Sequence, residues 1–311
     1  MKAHEEIHTE PVIQVEHLLH RYGKRTIYED LNFSASPGKI YALLGKNGVG
    51  KTTLIQILMG FLRPVSGRCW VLGEESYNLS PAARTRIGLL FEGHLAYEFM
   101  SISQIENFYA DFYPQWNRDL YYHLVDKLNL PYSHQVKNMS CGQRSQVVLG
   151  LIMAQQPDLL LLDDYSIGLD AGYRRLFLDD MRDYLGRDSG NGRRTVFLTS
   201  HVIQDMVDFV DEVIFLERGG SLLMTSLEYF QADFHCYRVR TSDQEAFLTA
   251  VHSCNPVVKN IETHVGYLDL FSFSDMERVL AAVKEKGAAP DHIQEVPMTL
   301  EDAFIGYTGR Y

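Results

Sequence analysis

Eight residues constrain this chain more than any others: Gly45-Lys46-Asn47-Gly48-Val49-Gly50-Lys51-Thr52 fits G-x-x-x-x-G-K-[ST]. The motif follows directly on the apolar run Ile40-Tyr41-Ala42-Leu43-Leu44, the pattern of a strand buried on both faces of a parallel sheet. It precedes an amphipathic run from Thr53 to Leu62, which reads as a helix. In that setting small residues let backbone N–H groups wrap phosphate oxygens, and the helix N-terminus adds partial positive charge. Gly45, Asn47, Gly48, Gly50, Lys51, Thr52 and Thr53 are thus the candidates for holding a nucleotide's phosphates. Lys51 neutralises terminal phosphate oxygens, and the Thr52 hydroxyl is suited to Mg²⁺, a hard ion that takes oxygen ligands.

A loop of this kind needs a carboxylate at the end of a neighbouring strand to hold the metal, and Leu159-Leu160-Leu161-Leu162-Asp163 supplies one. Asp164 comes next. In an extended chain it points away from Asp163, which suits a base aimed at an attacking water. Further apolar and amphipathic segments, a helix over 174–185, a strand over 195–198 and a helix from about Val202, give a βα alternation and so an α/β core.

Residues 1–10 read as a polar tail, followed by a first strand through Val12, Ile13, Val15, Leu18 and Leu19 and a turn at Tyr22-Gly23-Lys24. From Gly93 the texture changes to helical spacing, with eleven aromatics between Phe91 and Tyr132, so that a helical subdomain is expected over about 93–155 within a core domain of 11–232. Its Tyr97, Phe99, Phe108, Tyr109, Phe112 and Trp116 either line a groove for a partner helix or form the lobe's own core. The glycine-containing stretch 186–192 reads as a solvated connection. Residues 233–311 alternate as βαββαβ, a small α+β domain of the ferredoxin-like split arrangement.

With these elements placed, the chain resembles the ATP-binding subunit of an ABC transporter over about residues 11–230. Glu92 stands at the family's Q-loop glutamine, and Met139-Ser140-Cys141-Gly142-Gln143 resembles the Leu-Ser-Gly-Gly-Gln signature, 89 positions after Lys51 and 23 before Asp163. Gly168-Leu169-Asp170 resembles the D-loop, Thr199-Ser200-His201 the switch-histidine motif, and Tyr22 the aromatic that stacks on adenine. The resemblance implies a P-loop NTPase core with an inserted helical subdomain. ATP and Mg²⁺ would be sandwiched between two copies of the chain, Lys51 and Thr52 from one facing Ser140, Gly142 and Gln143 from the other. Thr52, Glu92 and Asp163 would serve the metal, Asp164 the water and His201 the γ-phosphate. The work would pass to separate membrane permease subunits, placing the chain in the cytoplasm against the membrane. The C-terminal stretch Val296 to Phe304 resembles the tail of exporter ATPases, and the domain that it ends is expected to be a regulatory or dimer module or simply a packing one.

Three positions depart from that family. Asp164-Tyr165 replaces a glutamate followed by proline, and a side chain one methylene shorter implies slow hydrolysis, because a misplacement of about 1 Å costs on the order of a hundredfold. Glu92 keeps an oxygen but loses an amide donor. Cys141 adds a Cβ where glycine is usual. These departures keep open an alternative, a nucleotide-gated sensor that hydrolyses poorly.

Composition excludes other classes. No run reaches the roughly 18 apolar residues of a spanning helix, and the polar start has no secretory pattern. The four cysteines (Cys69, Cys141, Cys236, Cys254) form no metal or disulfide spacing. The 29 basic and 40 acidic residues, net −11, argue against nucleic acid as a partner.

Overall fold

The computed structural model describes residues 10–91, 97–166, 168–186, 194–200, 202–254 and 256–309. The chain divides between Met224 and Thr225 into two compact units.

The first unit is built on a six-stranded sheet in the order Leu222–Ser226, Glu212–Leu216, Ile40–Leu44, Thr195–Thr199, Leu159–Leu162, Ile87–Leu90. Ile40–Leu44 pairs in parallel with both its neighbours, as does Leu159–Leu162. Leu159–Leu162 and Thr195–Thr199 are buried at every position, which is why they read as unbroken apolar runs rather than alternating ones. Since the pairing is parallel, Leu44, Leu162 and Thr199 end at the same edge of the sheet. In open α/β sheets that carboxyl edge is where ligands bind.

A second, antiparallel sheet runs Arg25–Ala35, Ile13–Tyr22, Ser66–Val71, Glu74–Glu75. Its first two strands meet at a turn where Gly23 takes a φ of 58°. Leu31 and Phe33 from this sheet, Leu54, Ile55 and Leu58 from the helix Lys51–Leu58, and Leu161 and Phe197 from the central sheet share one core. That helix stops short of Leu62, because Gly60 turns to a φ of 70° at a place where a Cβ would lie 2.3 Å from the Ser76 carbonyl oxygen.

The segment expected to be a helix from about Val202 is instead a single 3₁₀ turn, Ile203–Met206. Phe209 and Val210 N–H groups close on the Met206 carbonyl, and Asp211 N–H already bonds Ile40 O at 2.9 Å, so the connection ends before an α-helix develops. The helix read over 174–185 extends to Ala171–Gly186, and the loop at 187–193 lies outside the described residues.

Three helices occupy the aromatic-rich region: Ile102–Ala110, Arg118–Val125 and Cys141–Ala154. Ser101 and Ser140 begin theirs with complete capping boxes, and Asn117 caps the third. Wholly buried Glu106 accepts from Trp116 Nε1 at 2.7 Å and Arg118 Nε at 3.0 Å. Some aromatics of this region pack inside the lobe and others face outward. Tyr121 is buried and Trp116 lies 6.4 Å from it, whereas Phe99 and Phe112 are exposed beside Tyr97 and Phe108.

In the second unit four antiparallel strands run in the order Asn260–His264, Tyr267–Ser272, His235–Arg240, His292–Val296. The helices Gln244–His252 and Met276–Glu285 contribute Phe247, Val251, Val279 and Val283 to a core with Tyr237, Leu268 and Leu270. Two helices were not read from sequence, Leu227–Asp233 and Leu300–Thr308; Phe230 and Tyr307 from them form an aromatic cluster with Phe234 and Phe273.

Candidate nucleotide-binding site

At the carboxyl edge of the central sheet lies a cleft of about 390 Å³ lined by Tyr22, Arg25, Ile27, Asn47, Gly48, Gly50, Lys51, Thr52, Thr53, Asp163, Asp164 and Thr199. The parallel register puts the loop after Leu44 near the aspartates after Leu162. Glycine is required where the loop bends: Gly48 has a φ of 77° and Gly50 a φ of 118°. The approach is equally close at Gly45, where a Cβ would stand 2.5 Å from the Leu216 carbonyl oxygen.

Lys51 Nζ donates to Gly45 O at 2.7 Å and Lys46 O at 3.3 Å, so the ammonium lies over the loop that it serves. Burial draws its pKa below the usual lysine value, against the opposing pull of Asp164 and Asp163. Both aspartates are almost fully buried. Thr199 Oγ1 donates to Asp163 Oδ1 at 3.0 Å and accepts the Asp164 N–H at 2.8 Å. Ser166 Oγ donates to Asp164 Oδ1 at 3.0 Å and lies 3.1 Å from Ser200 Oγ.

One expectation is corrected here. Asp164 does not continue the strand with its side chain turned away from Asp163. Its φ of 48° is left-handed, a conformation that Asp tolerates better than most residues, and both aspartates line the same cleft.

Tyr22, half exposed, stands at the cleft with its ring 4.9 Å from that of buried His20 in a T-shaped contact. Glu92 and His201 lie outside the described residues. Ser140, Gly142, Gln143 and Asp170 do not line the cleft. Ser140 caps the helix Cys141–Ala154 and exchanges bonds with Gln143, while Asp170 Oδ1 accepts the Tyr173 N–H at 3.0 Å. A Cβ on Gly142 would fall 2.3 Å from the Tyr173 ring, and Cys141 Sγ lies 2.8 Å from where Gly168 would carry one.

The donor set fits magnesium: a hydroxyl from Thr52 and a carboxylate from Asp163 border one glycine-floored cleft, the sparse oxygen ligation that Mg²⁺ takes when phosphates complete its shell. Residues that sequence reasoning missed are Arg25, Ile27, Tyr28, Ser166 and the Thr199 side chain. Thr199 was visible only as the residue before Ser200-His201; its hydroxyl acquires meaning once the strands ending at Leu162 and Thr199 are known to be neighbours.

A buried strand, a glycine loop and a helix, with an aspartate closing a nearby parallel strand, define a P-loop nucleoside triphosphatase fold. Residues 28–166 match the family model described as ABC transporter. Among curated relatives, the chain is 25% identical over 305 residues to the Nod factor export ATP-binding protein I of Cupriavidus metallidurans, covering 96% of this chain and 98% of that one. It is 28% identical over 299 residues to the protein of the same name from a Rhizobium species, covering 93% and 94%. Among solved structures, an ATP-binding subunit of an ABC transporter shares the fold with a TM-score of 0.61 at 21% identity, over 71% of this chain and 92% of that one. A bacterial Atm1-family ABC exporter with ATP bound does so with a TM-score of 0.59 at 21% identity, over 70% and 39%. Over residues 28–166 the chain is thus similar to the ABC transporter family.

Proposed function

We propose that this chain is the ATP-hydrolysing subunit of an exporter, acting as a pair of copies that close on ATP and reopen after hydrolysis. The observation that carries the reading is the division of its motif residues. Lys51, Thr52, Asp163, Asp164 and Tyr22 border one cleft, while Ser140, Gly142 and Asp170 lie away from it. The capped N-terminus of Cys141–Ala154 is suited to an anion, and a second copy's phosphates would supply one.

In that arrangement Tyr22 stacks on adenine, the loop amides and Lys51 take the β- and γ-phosphates, and Thr52 and Asp163 hold Mg²⁺, which would neutralise charge on the phosphates when bound. Asp164 orients the attacking water or accepts its proton, with Ser166 holding one carboxylate oxygen and Thr199 fixing the backbone. Among the described residues no helix is long and apolar enough to cross a membrane; the spanning path would come from separate permease subunits, as the family resemblance implies. Export follows from the resemblance to the Nod factor export proteins.

Equilibrium binding of Mg-ATP together with sedimentation tests this. Lys51→Ala is expected to lose ATP binding. Ser140→Ala is expected to keep it and to lose ATP-dependent pairing. Pairing that survives Ser140→Ala unchanged contradicts the shared site.

A further inference from the structure

Two carbonyls of the phosphate loop are held from outside the loop. The Tyr28 hydroxyl donates to Gly50 O, and Arg25 Nη2 donates to Gly48 O at 2.7 Å. Both donors belong to the strand Arg25–Ala35 of the antiparallel sheet, and both acceptors belong to the loop glycines at positive φ. Gly50 O also accepts the Leu54 N–H at 2.9 Å as the first bond of the helix, so Tyr28 is a second donor to it; glycine loses more conformational freedom on ordering than any other residue, and each such donor spares a bound polyphosphate part of that ordering.

Tyr28 is well placed for such work. It is fully buried, and Glu29 N–H bonds Gly219 O at 2.8 Å, tying this part of the strand to the turn after Glu212–Leu216. Gly220 approaches so closely that a Cβ there would sit 3.2 Å from Tyr28 Cα. The ring therefore has a rigid root. Burial raises the phenol's pKa, so the hydroxyl remains a donor throughout the working pH range. A Cβ on Gly50 would lie 2.5 Å from the Tyr28 hydroxyl oxygen, so the strut leaves room for glycine and no larger residue there. At the start of the same strand, Arg25 pairs across the hairpin with Tyr22.

We propose that Tyr28 is a positioning residue for the phosphate loop: its hydroxyl, assisted by Arg25, presets the Gly48 and Gly50 peptides in the curvature that a polyphosphate requires. This rests on the nucleotide-binding reading above. Tyr28 does not line the cleft and touches no reacting group; it acts through Gly50.

The test compares Tyr28→Phe, which removes one oxygen and keeps the ring, with Tyr22→Ala and the unaltered chain. Affinities for Mg-ATP and for inorganic tripolyphosphate, which has no base, are measured well below the unfolding temperature, and unfolding midpoints are recorded alongside. Loss of one preorganising hydrogen bond is expected to weaken Tyr28→Phe for both probes by a common factor of about 2 to 12. Tyr22→Ala is expected to weaken ATP alone. A lower midpoint with both affinities unchanged would make the hydroxyl purely structural and overturn the proposal. Weakening of ATP without tripolyphosphate would also overturn it, by placing the effect on the base. An unaltered chain that binds neither probe would refute the nucleotide reading itself and the proposal with it.

Discussion

Thr199 and Asp163 are joined by a 3.0 Å hydrogen bond in which the threonine hydroxyl donates to the carboxylate, and the same oxygen receives the Asp164 N–H at 2.8 Å. One hydroxyl therefore sets both the metal-side aspartate and the backbone of the water-side one. Thr199→Val keeps the shape and removes the oxygen, leaving buried polar groups short of a partner at about 1–3 kcal/mol. The expected result is a lower denaturant midpoint and a fall in turnover of at least tenfold, with Thr199→Ser restoring most of both. Equal turnover in the valine and native proteins would remove Thr199 from the site.

The Tyr173 ring lies where a Gly142 side chain would go. Gly142→Ala is expected to cost about 1–3 kcal/mol by overpacking. In a Tyr173→Ala background the same change is expected to be nearly neutral. Urea unfolding of the four proteins checks this, and an undiminished cost in the double variant would place the strain elsewhere.

Cys141 is exposed, whereas Cys69, Cys236 and Cys254 are buried. Burial pushes the thiols of Cys69 and Cys236 up to about 12 and raises that of Cys254, so the thiolate, the reactive form, is suppressed at all three. Brief treatment of the native protein with a maleimide is expected to add one label, at Cys141, as mass spectrometry reads directly. The bulky adduct beside Gly168 at the signature helix should abolish ATP-dependent pairing while leaving ATP binding intact. Normal pairing of fully labelled protein would contradict the assignment of that helix end to the interface.

His20 is buried with neither ring nitrogen hydrogen-bonded among the described residues, and burial lowers its pKa from 6.5. The unfolded chain thus takes up a proton at His20 as pH falls below about 6.5, while the folded chain resists it. Stability at this site is complete above that pH and declines through the acidic range toward the lowered folded value. His20→Phe is expected to flatten the fall in unfolding free energy between pH 7 and pH 5 relative to the native chain. Identical slopes in the two proteins would show that His20 does not titrate differently on folding.

Much of the central architecture was legible because parallel strands buried on both faces leave unbroken apolar runs, as at Ile40–Leu44 and Leu159–Leu162. The phosphate loop was legible for a related reason, since its glycines stand where a Cβ cannot. The hairpin partner Arg25–Ala35 was missed: its buried residues Ile27, Tyr28, Leu31, Phe33 and Ala35 break strict alternation at a bulged register. Asp164 was misread because a left-handed residue directly after a strand leaves no pattern in neighbouring side chains. The struts from Arg25 and Tyr28 to the loop, more than 20 residues away in each case, depend on packing between two sheets and have no local signature.

The account rests most heavily on Asp164 as the group that prepares water beside bound ATP. The measurement is Mg-ATP turnover by the native chain and by Asp164→Asn, with pairing followed in the same samples. The account expects measurable native turnover, a fall of at least a hundredfold in the variant, and ATP-trapped pairs that no longer dissociate. Equal turnover in both proteins, or a variant that neither hydrolyses nor accumulates as the pair while still binding ATP, would contradict it.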